Sequence, residues 1–295
     1  MAITLEESAK LSQDMLQRGV IETMVRTSAV LEILPFMEIV GNAYAYNQVA
    51  ELPDVAFRAV NEGYVESGSV FEQKTANLVM LGGDVDVDKF IAQTRGNIND
   101  QRAIQTELKA KAVAETFTKT FFHGDVATDP KSFDGLNKFV SGSQDIAVAD
   151  TTNGTLTYAD LNKLLDAVPY GADAIFLSRS CRRIVMNLLQ HDQHYIEVGQ
   201  DAFGKPVTMY AGVPLRVVED AVLPAQGIDG ADGFELYAVK LGAMSDVSGL
   251  QNGGIAVTDI GELETKPVYR TRIEWYCGLA VFNPNSVARL HGIKA

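Results

Sequence analysis

The sequence predicts an α+β fold organised around one long helix, and three observations carry that expectation. Apolar residues recur at helical steps from about Asp88 to Phe122. On both sides of that run the pattern changes to period two, over 40–83 and 269–282. Over 150–250 short helices alternate with short strands.

Within the helical run, Ile104, Leu108, Ala112, Val113, Phe117 and Phe121 form the main stripe. Glu107 with Lys111 and Glu115 with Lys119 stand in the favourable i,i+4 order, each pair stabilising the helix by roughly 0.2–0.5 kcal/mol. Asp86 or Asp88 is expected to cap the first turn and Gly124 to supply the exit. At a rise of roughly 1.5 Å per residue such a helix spans about 50 Å. That is far beyond the usual mean of about 11–12 residues, and more than a compact globule uses.

The first 34 residues read as an amphipathic helix with Leu5, Leu16, Ile21, Val25, Val30 and Ile33 on one side, interrupted at Gly19 and ended by Pro35. Tyr44, Tyr46 and Gln48 then alternate with Ala43, Ala45 and Asn47, and the run Val70–Leu81 alternates in the same way. Between them lies ELPDVAFRAVNEGYVESGS, punctuated by Pro53, Gly63 and Gly68. The simplest arrangement is a long two-stranded hairpin with an irregular tip. Because a two-stranded ribbon is marginal alone in water, it is expected to lean on something else.

After the long helix, HGDVATDPKSFDGLNKFVSGSQ is a connection with one short apolar segment at Phe133, Leu136 and Phe139. Thr157 and Asp160 form a capping pair ahead of YADLNKLLDAV. A short strand at 172–177, a helix RSCRRIVMNLLQ, a hairpin around Ala211-Gly212 and a strand at 234–241 follow. In the tail, YRTRIEWYCGLAVF puts Ile273, Trp275, Cys277, Leu279 and Val281 on one face and Arg270, Arg272, Glu274 and Tyr276 on the other. NSVARLHGI reads as a short closing helix or turn.

The bulk numbers narrow the function. A formal charge of −13 and a pI of about 4.8 argue against binding nucleic acid over a broad surface. No apolar run approaches bilayer length, and MAITLEESAKLSQDM is unlike a secretory signal or transit peptide, so synthesis in the cytoplasm is expected. Cys181 and Cys277 stand far apart and outside any CxxC, as buried thiols do in a reducing compartment.

No catalytic, cofactor-binding or metal site is expected. Asp84, Asp86 and Asp88 imitate the start of a calcium loop, but the positions that need Gly and Glu hold Lys89 and Arg95. His191 and His194 lack a third ligand, and the turn that ends the long helix accounts for His123-Gly124-Asp125. GxSxG, HExxH, Walker A and the Rossmann glycine pattern are absent.

Several stretches, in order, resemble the major capsid proteins of tailed bacteriophages, the Hong Kong 97 type. They are LVMLGGDVDVD before the long helix, TFFHGDVATDPKSFDGLNKFV after it, GVPLRVVED with Pro224 following, and RIEWYCGLAVFNPNSVARLHGI at the end. The resemblance implies an N-arm at 1–41, an extended loop at 42–83 and a peripheral domain of 84–149 with 251–295. That domain contains a spine helix at 88–122, and an axial domain follows at 150–250. It also implies self-assembly through pentamers and hexamers into an icosahedral virion shell around double-stranded DNA, without sequence-specific binding and without a membrane. A separate scaffolding protein, a portal and decoration proteins would be further partners.

Intersubunit-contact candidates are Arg58, Glu62, Glu66, Lys74, Arg270, Arg272 and Glu274. Lys74 is also the lysine of the loop that an isopeptide crosslink to Asn283 or Asn285 would use, although no assisting Glu is identifiable. An encapsulin-like nanocompartment is the nearest alternative. An α/β enzyme or small-molecule binder built on 150–250 is the more distant one.

Overall fold

The computed structural model describes residues 3–4, 15–51, 53–64, 66–95, 101–149, 153–191, 197–200, 206–223 and 233–294. Strand β1 (Ile3–Thr4) is followed by helices α1 (Met15–Thr27) and α2 (Ala29–Ile33) and by β2 (Pro35–Glu38). Helix α1 runs through Gly19, which lies on its exposed side, so the interruption expected there does not occur. The break comes at Ser28, whose hydroxyl accepts from the Leu31 amide at 3.3 Å and meets Thr118 Oγ1 at 2.7 Å. Pro35 ends the helical stretch as expected.

The hairpin is β3 (Ala43–Glu51) against β4 (Val70–Asn77), paired from Ala43↔Asn77 to Val49↔Phe71. The second run, expected as one strand, is two. The chain breaks at Leu78, whose amide donates to the Asn42 carbonyl, and continues as β5 (Val79–Asp88) in another sheet. The long helix therefore starts later than the apolar stripe suggests. Asp84 and Asp86 lie in β5, where Val85 and Val87 point inward and are buried. Asp88 alone caps, accepting from the Phe90 amide at 2.8 Å. Helices α3 (Lys89–Arg95) and α4 (Gln101–His123) follow; Ile98 and the join between them fall outside the described residues.

Next come α5 (Leu136–Phe139), β6 (Asp145–Ala147), α6 (Tyr158–Asp166), β7 (Ala174–Ser178), α7 (Arg179–His191), β8 (Glu197–Gln200), β9 (Pro206–Tyr210), β10 (Val213–Val218) and β11 (Gly233–Val239). Thr157 and Asp160 make a full capping box at the head of α6. The β9–β10 turn puts Ala211 at φ 49 and Gly212 at φ 78, the left-handed pair that a tight hairpin needs. The tail is β12 (Val247–Glu262), β13 (Val268–Val281) and β14 (Val287–Lys294). The closing segment is thus a strand and not the expected helix or turn. It pairs with β11 from Gly233↔Lys294 to Val239↔Val287 and buries Val287, Ala288, Leu290 and Ile293.

Two sheets result beside the ribbon. One has the order β1-β2-β12-β13-β5, the other β6-β14-β11-β7-β10-β9-β8. Helix α4 packs against both. Its buried side carries Ala110, Val113, Ala114, Phe117, Phe121 and Phe122, which pack with Phe36 and Trp275 of the first sheet and Phe176 and Tyr237 of the second. The Phe117 and Trp275 rings stand 4.8 Å apart, and Phe122 and Tyr237 5.2 Å. Each such side chain stabilises the subunit by roughly 1.5–3 kcal/mol on burial. Helix α1 closes this core through Val20, Ile21, Met24 and Val25. On the far face of the second sheet, Leu161 and Leu164 of α6 and Val185 and Leu189 of α7 cover Ile175, Leu177 and Leu236.

Candidate assembly surfaces

The ribbon is anchored at its base. Tyr46 Oη donates to the Val281 carbonyl at 3.1 Å and Gln48 Nε2 donates to the same oxygen at 2.8 Å. Phe282 packs edge-on against Tyr44 and Tyr46 at 6.1 and 4.8 Å, beside a small cluster of Ile39, Ala76, Leu250 and Ala280. Burial there raises the Tyr46 hydroxyl above its usual pKa, the Val281 bond opposing it. Beyond the base every described residue of Val70–Thr75 is exposed.

The tip at 53–69 has no core. Phe57, Val55 and Val60 are 109%, 94% and 88% exposed, and Tyr64 is 73% exposed. Its shape comes from polar turns alone: the Ala59 amide donates to Glu62 Oε2 at 2.9 Å, and Ser67 donates to the Asp54 carbonyl at 2.8 Å. Arg58 donates to the Glu62 carbonyl at 3.1 Å and lies 5.0 Å from the centre of the Tyr64 ring. Arg58, Glu62 and exposed Glu66 therefore sit together on the tip, and Lys74 pairs with Glu72 at 2.8 Å farther down. Neither Asn283 nor Asn285 is paired with Lys74 within this chain: Asn283 caps the Asn285 amide, and Asn285 accepts from Gln144.

The outer face of the first sheet brings the tail candidates together. Arg270 forks onto Asp86 with two bonds of 2.6 Å and reaches Asp84 at 3.1 Å; Arg272 forks onto Asp84 at 2.7 and 3.0 Å. These bonds hold both aspartates below the usual carboxylate pKa and raise both guanidinium groups. Sequence reasoning missed Asp84 and Asp86 as partners because it assigned them to a helix start. The signal was there: D-x-D and R-x-R share the period of two that cross-strand pairing requires. Glu274 has no such partner, its nearest cation being Arg272 at 4.0 Å.

A second polar cluster lies inside, where α4 meets the second sheet. His123 Nε2 bonds Glu235 Oε1, Arg289 Nε donates to Glu235 Oε2 at 2.9 Å, and Tyr237 donates to the same oxygen at 3.1 Å. Burial alone would raise the Glu235 carboxyl, but His123 and Arg289 together hold it below the usual range. His123, expected to serve only the helix end, thus ties α4 to β11 and β14. Its sequence distance from Glu235, 112 residues, hid the pair.

Among the described residues no group of three His, Cys, Asp or Glu is placed to hold a metal ion. His194 lies outside them. Both cysteines are buried, and burial pushes the Cys181 thiol up to about 12. Among the described residues, no helix is long and apolar enough to cross a membrane.

Residues 12–150 match the family model "Major capsid protein GP7". The fold matches an encapsulin from Synechococcus elongatus with a TM-score of 0.69 at 19% identity, covering 90% of this chain and 87% of that one. The capsid protein of a native GTA particle follows at 0.65 and 12%, covering 91% of each chain. Mycobacterium phage Adephagia gives 0.65 and 13%, covering 89% of each chain. A comparison with curated protein sequences finds no match. The chain has the Hong Kong 97-type capsid fold.

Proposed function

We propose that copies of this chain associate into pentamers and hexamers that close into an icosahedral virion shell around double-stranded DNA. The observation that carries this reading is the tip at 53–69, whose apolar side chains are exposed in the isolated subunit while the rest of the chain buries an ample core. A second copy supplies the missing cover. Single contacts need contribute only modestly, because a closed shell makes many at once.

The domain organisation belongs to the same proposal: an N-arm at 1–41, the extended loop at 42–83, a peripheral domain of 84–149 with 251–295, and an axial domain at 150–250. So do a separate scaffold, a portal and decoration proteins as partners, and synthesis in the host bacterial cytoplasm.

Electron microscopy of the purified protein, with and without a scaffold, tests the reading: shells, tubes or capsomer rings are expected. Deletion of 54–68 should leave a folded subunit that assembles poorly, and normal assembly by that variant removes the loop's role. The likeness to an encapsulin favours one second reading, a shell around a protein cargo. Shells purified from the native host decide between them, since DNA inside supports the virion and a bound cargo protein supports the nanocompartment.

A further inference from the structure

Asn-Gly occurs twice in the chain, at Asn153-Gly154 and at Asn252-Gly253, and the fold treats the two pairs in opposite ways. In such a dipeptide the main chain can attack the side chain, because no Cβ on the glycine blocks the approach of its nitrogen. Whether the attack occurs depends on the freedom of that nitrogen and on the room around it.

The first pair has neither. The Gly154 amide donates to the Gly292 carbonyl at 2.8 Å, and the Gly154 carbonyl accepts from the Lys294 amide at 2.8 Å, so this glycine is stitched to β14 opposite Ile293. A Cβ at Gly154 would stand 2.8 Å from Val148 Cγ1, which shows how closely the place is packed.

The second pair lies in an irregularity of β12. Asn252 stands opposite Tyr276 and Ile255 opposite Trp275, its neighbour on β13, so Gly253 and Gly254 have no residue facing them across the ladder. Both take left-handed backbone, φ 71 and φ 69, and a Cβ built on either meets nothing within 4 Å. Gly253 is exposed and Asn252 half-buried. Here the main chain can turn toward its own side chain without opening the pairing on either side of the bulge.

We propose that Asn252 is a site of spontaneous covalent modification, converted to aspartate and isoaspartate through a cyclic imide with Gly253. The Gly253 nitrogen gives its proton to a solvent base and attacks Asn252 Cγ. The new N–C bond closes the imide ring, and the side-chain nitrogen takes up a proton and leaves as ammonia. Water then adds to one of the two ring carbonyls. Opening at Cγ gives aspartate, and opening at the main-chain carbonyl carbon routes the backbone through Cγ and gives isoaspartate. Either product places a carboxylate opposite Tyr276, on the face that carries Glu274, and isoaspartate also lengthens the strand by a main-chain carbon at the bulge. The chemistry belongs to the folded subunit and is independent of the shell reading.

Peptide mapping by mass spectrometry tests it, after incubation of the folded full-length protein at mildly alkaline pH with circular dichroism confirming the fold. The Asn252 peptide is expected to gain the amide-to-acid mass increment and to separate into aspartate and isoaspartate forms. It should do so about tenfold faster or more than the Asn153 peptide, whose pairing must open first. In denaturant the two peptides should convert at similar rates, which assigns the difference to the fold. N252Q should abolish the change in its peptide. An Asn252 peptide that stays unmodified in the folded protein while converting in denaturant overturns the proposal, and so does conversion at Asn153 as fast as at Asn252. An increment that persists in the same peptide of N252Q belongs to another residue and overturns it as well.

Discussion

The C-terminal half of α4 and the tip of the hairpin are built from the same kinds of residue and put them to opposite ends. Phe117, Phe121 and Phe122 are fully buried, with rings from both sheets around them. Val55, Phe57 and Tyr64 are exposed. Burial is where apolar area stabilises a single chain. The tip contributes nothing to that and holds its shape through turns such as Asn61 at φ 70. One region makes the subunit, and the other is the part that the proposed assembly would have a neighbour cover.

That contrast breaks most decisively at Phe117. Replacing it with alanine opens a cavity beside Trp275 and should destabilise the subunit by about 3–5 kcal/mol in denaturant unfolding. Phe57→Ser should leave the unfolding curve of the unassembled subunit in place while assembly drops sharply. Equal effects of the two on the monomer would erase the distinction. Next in size is Glu235→Gln, which keeps the shape but removes the charge shared by His123 and Arg289. A loss of about 1.5–3 kcal/mol at neutral pH is expected.

The sign of its pH dependence follows from the depressed Glu235 pKa. The contribution is present above the ordinary glutamate pKa and is lost as pH falls through the folded value. The wild type should therefore lose stability in acid more steeply than the Gln variant. The smallest effect belongs to Thr157→Ala, which removes the α6 cap far from both regions and should cost about 1 kcal/mol without touching assembly.

Much of the architecture was legible because its periodicities are strong. The ribbon and the inner face of β13 follow directly from alternation, whereas the expected stripe of α4 holds only at Val113, Phe117 and Phe121; Ile104, Leu108 and Ala112 are exposed, and Ala110, Ala114 and Phe122 complete the buried face. The failures have physical causes. GGDVDVD satisfies two patterns at once, an acidic helix start and an alternating strand, and only the distant R-x-R decides between them. In β14 inward and outward positions are both covered, so Val287, Ala288, Leu290 and Ile293 are all buried and no alternation survives to be read. Glu235 and His123 meet only because α4 ends over the second sheet, which no local pattern records. The candidate surface was half visible: the charged residues of the tip and of β13 are plain in the sequence, whereas Gly82 standing opposite Glu274 needs the register of β5 to be known.

The break at Leu78 has a mechanical consequence. The strand that forms one side of the ribbon continues, after a single residue, into β5, which is bonded along its length to β13 over α4. Tyr46 and Gln48 pin the other side to the Val281 carbonyl, at the same end of β13 as Cys277, which pairs with Val79 where β5 begins. A load applied at the tip is thus delivered through both sides of the ribbon to one end of a single strand, which β5 and β12 hold along its length.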